Sequence, residues 1–217
     1  MFVSPASVFA ALKERPIFAL PLWLMILGTM ALTGWYYGIV DIAWLQDQQL
    51  QAANVPAAQR EAMANVPRSV YLLSSMVAAP IAIVVIMTIM ALYFMLAGAI
   101  TNVRYSFKHW FAFNWWASSP GILALIPSFL ILATASTTEI SPSALQPLSA
   151  NELIFHVQPG EKGYNFLASV GLVQIVTAVL TVIGVRVWSG RSMLFSAVFG
   201  LLPAVLIYGV WALFAFR

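Results

Sequence analysis

Five stretches of the chain, residues 16–40, 69–103, 109–138, 163–185 and 192–216, contain no Asp, Glu, Lys or Arg. Each is longer than the roughly 20 mostly apolar residues, at about 1.5 Å rise each, that a helix needs to cross a bilayer. All charged side chains lie between or beside these runs. Hydrophobic residues make up 62% of the 217 and charged residues 8%, against about 25% charged in ordinary soluble domains. A soluble fold of this size has no interior large enough to hide so much apolar surface, so lipid is the expected solvent. The fold class that follows is all-α: a polytopic membrane protein, a bundle of five transmembrane helices. A single domain over residues 1–217 is expected, with spans near 17–40, 80–103, 111–135, 165–185 and 193–215. Extracytoplasmic loops are expected at 41–68 and 136–164. A cleavable signal has an apolar core of about 7–15 residues, so the long run after Arg15 reads as a retained helix. There are no cysteines, which excludes disulfides, thiol catalysis and thiolate metal sites.

The gaps carry an orientation signal. One set holds Lys13, Arg15, Arg104, Lys108, Arg186 and Arg191 with Glu14 as the only acid. The other holds Arg60, Arg68, Lys162 and Arg217 with Asp41, Asp47, Glu61, Glu139, Glu152 and Glu161. Short loops rich in Lys and Arg stay cytoplasmic, which predicts an N-terminus inside and a C-terminus outside.

Read in order, Ser4 and Pro5 suit the start of a short N-terminal amphipathic helix with Val8, Phe9 and Leu12 on one face. Such a helix lies on the membrane and tucks its apolar side chains under headgroups. Trp35, Tyr36 and Tyr37 suit an aromatic belt. The loop 41–67 reads as two helical pieces, the second starting at Pro56 and stopping at Asn65, with Pro67 in the first turn of the next span. As a straight helix the run 69–103 would reach about 52 Å against a hydrocarbon core of ~30 Å. Pro80 is expected to kink or break it; either residues 69–79 project into the outer interface, the favoured reading, or the helix is strongly tilted. Arg104 and Lys108 followed by Phe107, Trp110, Phe111, Phe113, Trp115 and Trp116 read as a headgroup-level anchor. Pro120 and Pro127 bend the third span. Ser149 with Glu152 forms a capping-box pattern, and Pro159-Gly160 signals a turn. The tight basic turn 186–191 forces the last two spans into an antiparallel hairpin.

On the fourth span, Gly171, Gln174, Thr177, Ala178, Thr181 and Gly184 share a sector of about 140° at 100° per residue. Small residues permit close helix contact and polar ones bond across it. The same spacing recurs in Gly34 and Gly38 and in Ser196, Gly200 and Ala204. These positions read as packing seams. The alternative is a polar path lined by Asn114, Gln174, Thr177 and Thr181. Phe9, Lys13, Arg15, Arg104, Lys108, Arg186 and Arg191 are the expected interfacial anchors.

No catalytic, cofactor or metal site is expected. His109 and His156 fall on opposite sides of the predicted membrane, and Glu152 with His156 supplies two ligands where zinc takes three or four. No run holds the buried ionisable group that ion-coupled carriers use. The serines have no base to activate them, and no phosphate-binding Gly-rich loop is present. The expected partners are anionic lipid headgroups on the cytoplasmic side, other copies of the chain or other membrane proteins, with no nucleic acid.

The stretch SFKHWFAFNWWASSPGIL at 106–123 resembles the segment of Yip-family membrane proteins in which a short basic turn leads into a helix ending in Ser-Pro. NELIF at 151–155 and YNFLASVGLVQIVTAVLTVIGVRVWSGRSMLFSAVFGLLPAVLIYGVWAL at 164–213 are similar to the end of bacterial members. The opening SPASVFAALKERPIFALPLWL at 4–24 fits the family's start. The resemblance implies a five-span helical protein of a bacterial inner membrane and brings no catalytic residues. Eukaryotic relatives bind Ypt/Rab-type GTPases, but this chain has only about fifteen residues before its first span, so that role is not carried over. Partnership with export systems such as ABC transporters is implied for some bacterial relatives. The function expected is therefore a non-enzymatic membrane scaffold or partner, the alternative being a passive conduit or scramblase-like protein.

Overall fold

The computed structural model describes residues 3–53, 55–56, 59 and 66–217. Among the described residues every regular element is helical, apart from one isolated antiparallel bridge between Ser149 and Gly171. A short helix α1 (Pro5–Glu14) is followed by α2 (Ala19–Ile39), α3 (Ile42–Ala52) and α4 (Arg68–Thr101). Then come α5 (Phe107–Ala117), α6 (Pro120–Thr134), α7 (Tyr164–Ser169), α8 (Leu172–Ser189) and α9 (Met193–Ala215). Five stretches are long and apolar enough to cross a membrane: α2, α4, the α5–α6 pair over Phe107–Thr134, α8 and α9. The protein is an all-α, five-span membrane protein with a short N-terminal helix.

The spans are apolar on the faces that leave the protein. On α4, Ile81, Val85, Ile89, Leu92, Leu96 and Ile100 are exposed at steps of three and four residues, while Ala91, Phe94 and Gly98 are buried. Helices apolar all round are those solvated by lipid. Pro80 lies inside α4 without ending it. Of the kink or break expected there, a break is absent: 34 residues form one helix, about 51 Å at the ideal rise. Its C-terminus is a Schellman closure. Asn102 takes the left-handed conformation at φ 60, and Val103 N–H donates to the Gly98 carbonyl at 2.9 Å. Asn is one of the few residues that adopt this conformation readily.

The chain forms two compact units. The first comprises Met1–Ile26, Ile81–Leu123 and Val173–Trp211; the second comprises Leu27–Pro80, Ala124–Leu172 and Ala212–Arg217.

In the second unit the core gathers Leu32, Tyr36, Val40, Leu45, Leu132 and Ile140. Tyr36 was expected in an interfacial belt, but it is buried and donates its hydroxyl to the Ile140 carbonyl at 2.8 Å. The last carbonyls of a helix lack intrahelical donors. At the end of α2, Arg68 supplies them, donating to the carbonyls of Tyr37, Gly38 and Val40. Asp41 caps α3 by accepting from Trp44 N–H at 3.1 Å. The second helical piece expected from Pro56 to Asn65 lies outside the described residues.

Ser149 does accept from Glu152 N–H at 3.2 Å, and a short helical turn follows over Asn151–Phe155. Gly171 departs from its expected place on a helix seam. It lies just before α8, and a Cβ there would stand 2.2 Å from the Leu148 carbonyl oxygen and 2.7 Å from Ser149 Cα. Its lack of a side chain permits the bridge, closed by Ala150 N–H to Val170 at 2.7 Å and Leu172 N–H to Leu148 at 3.0 Å.

Replacing Tyr36 with Phe removes a buried donor from Ile140 and is expected to destabilise by about 1–3 kcal/mol. Tyr71→Phe, at an exposed pair with Gln49, should stay within about 0.5 kcal/mol. Thermal denaturation of the two variants in one detergent measures the difference.

Candidate functional site

Nearly all of α5 faces protein. Trp110, Phe111, Ala112, Phe113, Asn114, Trp115 and Ala117 are buried. The headgroup-level anchor expected there is instead the centre of the first unit. Trp110, at 0% exposure, stacks on Phe94 of α4 at 5.2 Å and meets Trp188 of α8 at 4.8 Å. Phe113 meets Trp188 at 5.1 Å and Phe9 of α1 at 5.0 Å. Phe199 of α9 stacks on Phe94 at 5.6 Å. Tilted, offset and edge-on pairs at these distances are the favoured geometries of aromatic quadrupoles. The packing has a polar cost: Trp115 Nε1 and Ser119 Oγ are buried without a hydrogen-bond partner, and so, at the hub, is the Trp110 indole N–H. It lies among the rings of Phe94, Tyr105, Phe113, Trp188 and Phe199, whose faces are weak acceptors.

Small residues make room for these rings. A Cβ on Gly184 would stand 2.4 Å from Phe113 Cε2 and 2.9 Å from Phe9 Cδ1. Gly184 is thus a socket for aromatic side chains. Gly200 lies against the facing helix, where a Cβ would come 3.1 Å from Thr181 Cγ2 and 3.5 Å from Val185 Cγ2. Ser196 is fully buried and turns its hydroxyl back to the Ser192 carbonyl at 3.0 Å; Ala204 is half-buried.

Neither of the two clefts described for the first unit is lined by the residues of the polar path. Gln174 is exposed and Thr177 half-buried. Thr181 donates to the Thr177 carbonyl of its own helix at 2.8 Å, and Asn114 donates to the Met87 carbonyl at 3.4 Å.

α1 is seated on this hub. Phe9, at 0% exposure, and Leu12 are buried in protein, where the sequence placed Phe9 under headgroups. Ser4 sits at the cap position of α1 but its side chain makes no cap bond.

Three ring N–H groups hold the segment by its backbone. Trp188 Nε1 donates to the Phe9 carbonyl at 2.8 Å, His109 Nε2 contacts the Lys13 carbonyl at 3.2 Å, and Trp116 Nε1 donates to the Ile17 carbonyl at 2.7 Å. A carbonyl only accepts, so Nε2 of His109 carries a proton. In the neutral ring Nδ1 then accepts from the Ser106 hydroxyl, 2.7 Å away.

For Lys13 and Ile17 the need for a donor is local, while Phe9 lies within α1. α1 ends at Glu14 and Ile17 N–H turns to the Arg15 carbonyl at 2.8 Å, which leaves Lys13 without a helical donor. Pro21 has no N–H for Ile17, four residues earlier. The sequence marked Trp116 as a headgroup-level anchor and did not single out Trp188, and it assigned neither to a backbone carbonyl.

The first unit also holds Lys13, Arg15, Arg104, Lys108, Arg186 and Arg191 with Glu14 as its one acid. The charged residues of the second unit that the structure describes are Arg68, Lys162 and Arg217 with Asp41, Asp47, Glu139, Glu152 and Glu161. Arg191 donates to the Thr101 carbonyl and lies over the Phe195 ring at 4.5 Å. A cleft of about 490 Å³ is lined by Asn102, Val103, Arg104, Tyr105, Trp188 and Ser189. Tyr105 ties it to the hub through a 3.2 Å bond to the Trp188 carbonyl. Among the described residues no group of three or more His, Asp or Glu side chains is placed to hold a metal.

Five apolar spans and an interior built of rings define a multi-pass helical membrane protein. The Yip1 domain family matches residues 1–214, and the chain belongs to that family. No curated protein and no solved structure matches it.

Phe9→Ala is expected to cost about 3–5 kcal/mol in the hub and to loosen α1. With no native cysteine, a Leu12→Cys probe reports this directly: maleimide labelling should be slow alone and fast with Phe9→Ala or Trp188→Phe.

Proposed function

We propose that the protein is a non-enzymatic scaffold of a bacterial inner membrane, with its N-terminus in the cytoplasm and its C-terminus outside. It works by packing against other membrane proteins, export systems among them, or against a second copy of itself. The observation that carries this reading is the sorting of charge between the two compact units. Six basic side chains belong to the unit that holds the aromatic hub, and most of the acids belong to the other. Basic residues near a cytoplasmic leaflet attract anionic headgroups at about 1 kcal/mol each and fix topology. Lys13, Arg15, Arg104, Lys108, Arg186 and Arg191 serve both purposes.

Contact with partners runs through small residues that the fold leaves open. A Cβ on Gly38 of α2 or Gly209 of α9 would meet nothing within 4 Å, whereas Gly184 and Gly200 are filled from within the chain. Gly38→Leu and Gly209→Leu should therefore reduce self-association or the set of co-purifying membrane proteins, with little change in melting temperature. Gly200→Leu should lower the melting temperature itself. Detergent-solubilised size and co-purification measure the first effect, and unchanged assembly in both open-glycine variants removes the partner role. Orientation is read separately, by labelling Ser4→Cys and Arg217→Cys in intact cells with an impermeant maleimide. Only the C-terminal cysteine should react.

A further inference from the structure

The first unit contains an apolar groove of about 540 Å³ beside α1. α1 contributes Val8, Ala11 and Leu12, the stretch running into α2 contributes Ile17 and Leu20, and α5 contributes the Trp116 ring. The groove is preformed. Trp116 is fixed by its bond to the Ile17 carbonyl at 2.7 Å, and Leu12 is buried. Its walls are apolar side chains where the chain enters the first span, so a hydrocarbon chain of the surrounding lipid suits them.

The polar edge of the groove narrows the ligand further. Glu14 and Arg15 both line it, adjacent in sequence and opposite in charge. Both are exposed, and among the described residues neither side chain is taken up by a protein partner. Glu14 is also the one acid on an otherwise basic unit. It contributes nothing to holding topology or attracting anionic lipid, and its charge opposes the second. A cation beside a phosphate accounts for it. Guanidinium binds phosphate oxygens in a fork, and a carboxylate accepts charge-assisted bonds from a primary ammonium. A quaternary ammonium has no N–H to give, and a glycerol headgroup has no cation.

We propose that this groove holds one aminophospholipid, its acyl chain along Trp116, Arg15 on its phosphate and Glu14 on its ammonium. The lipid's two charged groups then meet two opposite charges of the protein, while its tail covers the apolar walls. The site is distinct from the diffuse attraction of the basic face to anionic headgroups, and it stands whether or not the chain binds other proteins.

The test is native mass spectrometry of the full-length protein released from nanodiscs containing equal parts phosphatidylethanolamine, phosphatidylcholine and phosphatidylglycerol with the same acyl chains. The wild type should retain one phosphatidylethanolamine in preference to the other two. Glu14→Gln should cut that preference about tenfold, the equivalent of one charge-assisted bond, while phosphatidylglycerol still binds. Ala11→Trp should fill the groove and abolish retention of all three. Lys108→Gln, a change of charge outside the groove, should leave the preference intact. Melting temperatures of the variants confirm that each is folded. Equal retention of the three lipids by wild type overturns the proposal, as does a phosphatidylethanolamine preference that survives Glu14→Gln. A preference for phosphatidylglycerol overturns it too, by assigning the groove to the general basic surface.

Discussion

A backbone carbonyl withdrawn from water must find a donor, and this requirement organises the first unit of the protein. The N-terminal segment ends a helix at Glu14, passes Pro16 and meets Pro21 in the first turn of α2. Along it the carbonyls of Phe9, Lys13 and Ile17 accept from Trp188, His109 and Trp116. Phe9 and Lys13 stand about one helical turn apart on α1, and Ile17 follows in the extended stretch beyond its end. All three donors belong to flat rings that also pack as apolar surface. An indole or imidazole therefore satisfies the backbone without bringing an unpaired charge into the hub.

Membrane proteins blur the usual difference between inside and outside. In water the core is the apolar face; in lipid both faces are apolar, and hydropathy loses its contrast. This is why the five spans were legible in the sequence while the burial of α5 was not. Trp110, Phe113 and Trp115 have the composition of an interfacial belt and sit beside Arg104 and Lys108, yet they are buried. The same ambiguity covers Tyr36. What distinguishes these residues is the glycine or carbonyl opposite each, such as Gly184 facing Phe113 and Ile140 facing Tyr36. Such pairings join positions far apart in the chain.

Signals with a local mechanism fared better. The capping pattern at Ser149 and the turn at Gly160 stand where residue chemistry placed them, while the turn expected over 186–191 is shorter, the helix continuing to Ser189 before Gly190. Pro80 is the exception, because a long helix absorbs one missing bond when tertiary contacts hold both sides. The seams were half legible. Gly200 does meet the neighbouring helix, whereas Gly184 accommodates rings and Gly171 a crossing of backbone. Spacing reveals where close approach is permitted, without saying what approaches. The candidate site was legible as a set of charges and not as a shape: Lys13, Arg15 and Glu14 were conspicuous, but the groove beside them depends on Trp116.

The bond between Trp188 and Phe9 joins residues 179 positions apart. Synthesis proceeds from the N-terminus, so the first helix emerges long before the tryptophan that secures it. Phe113, His109 and Trp116 of α5 are made earlier and already offer α1 a partial seat. The seat is completed only when the fourth span delivers Trp188, so the first helix made takes its final bond from one of the last.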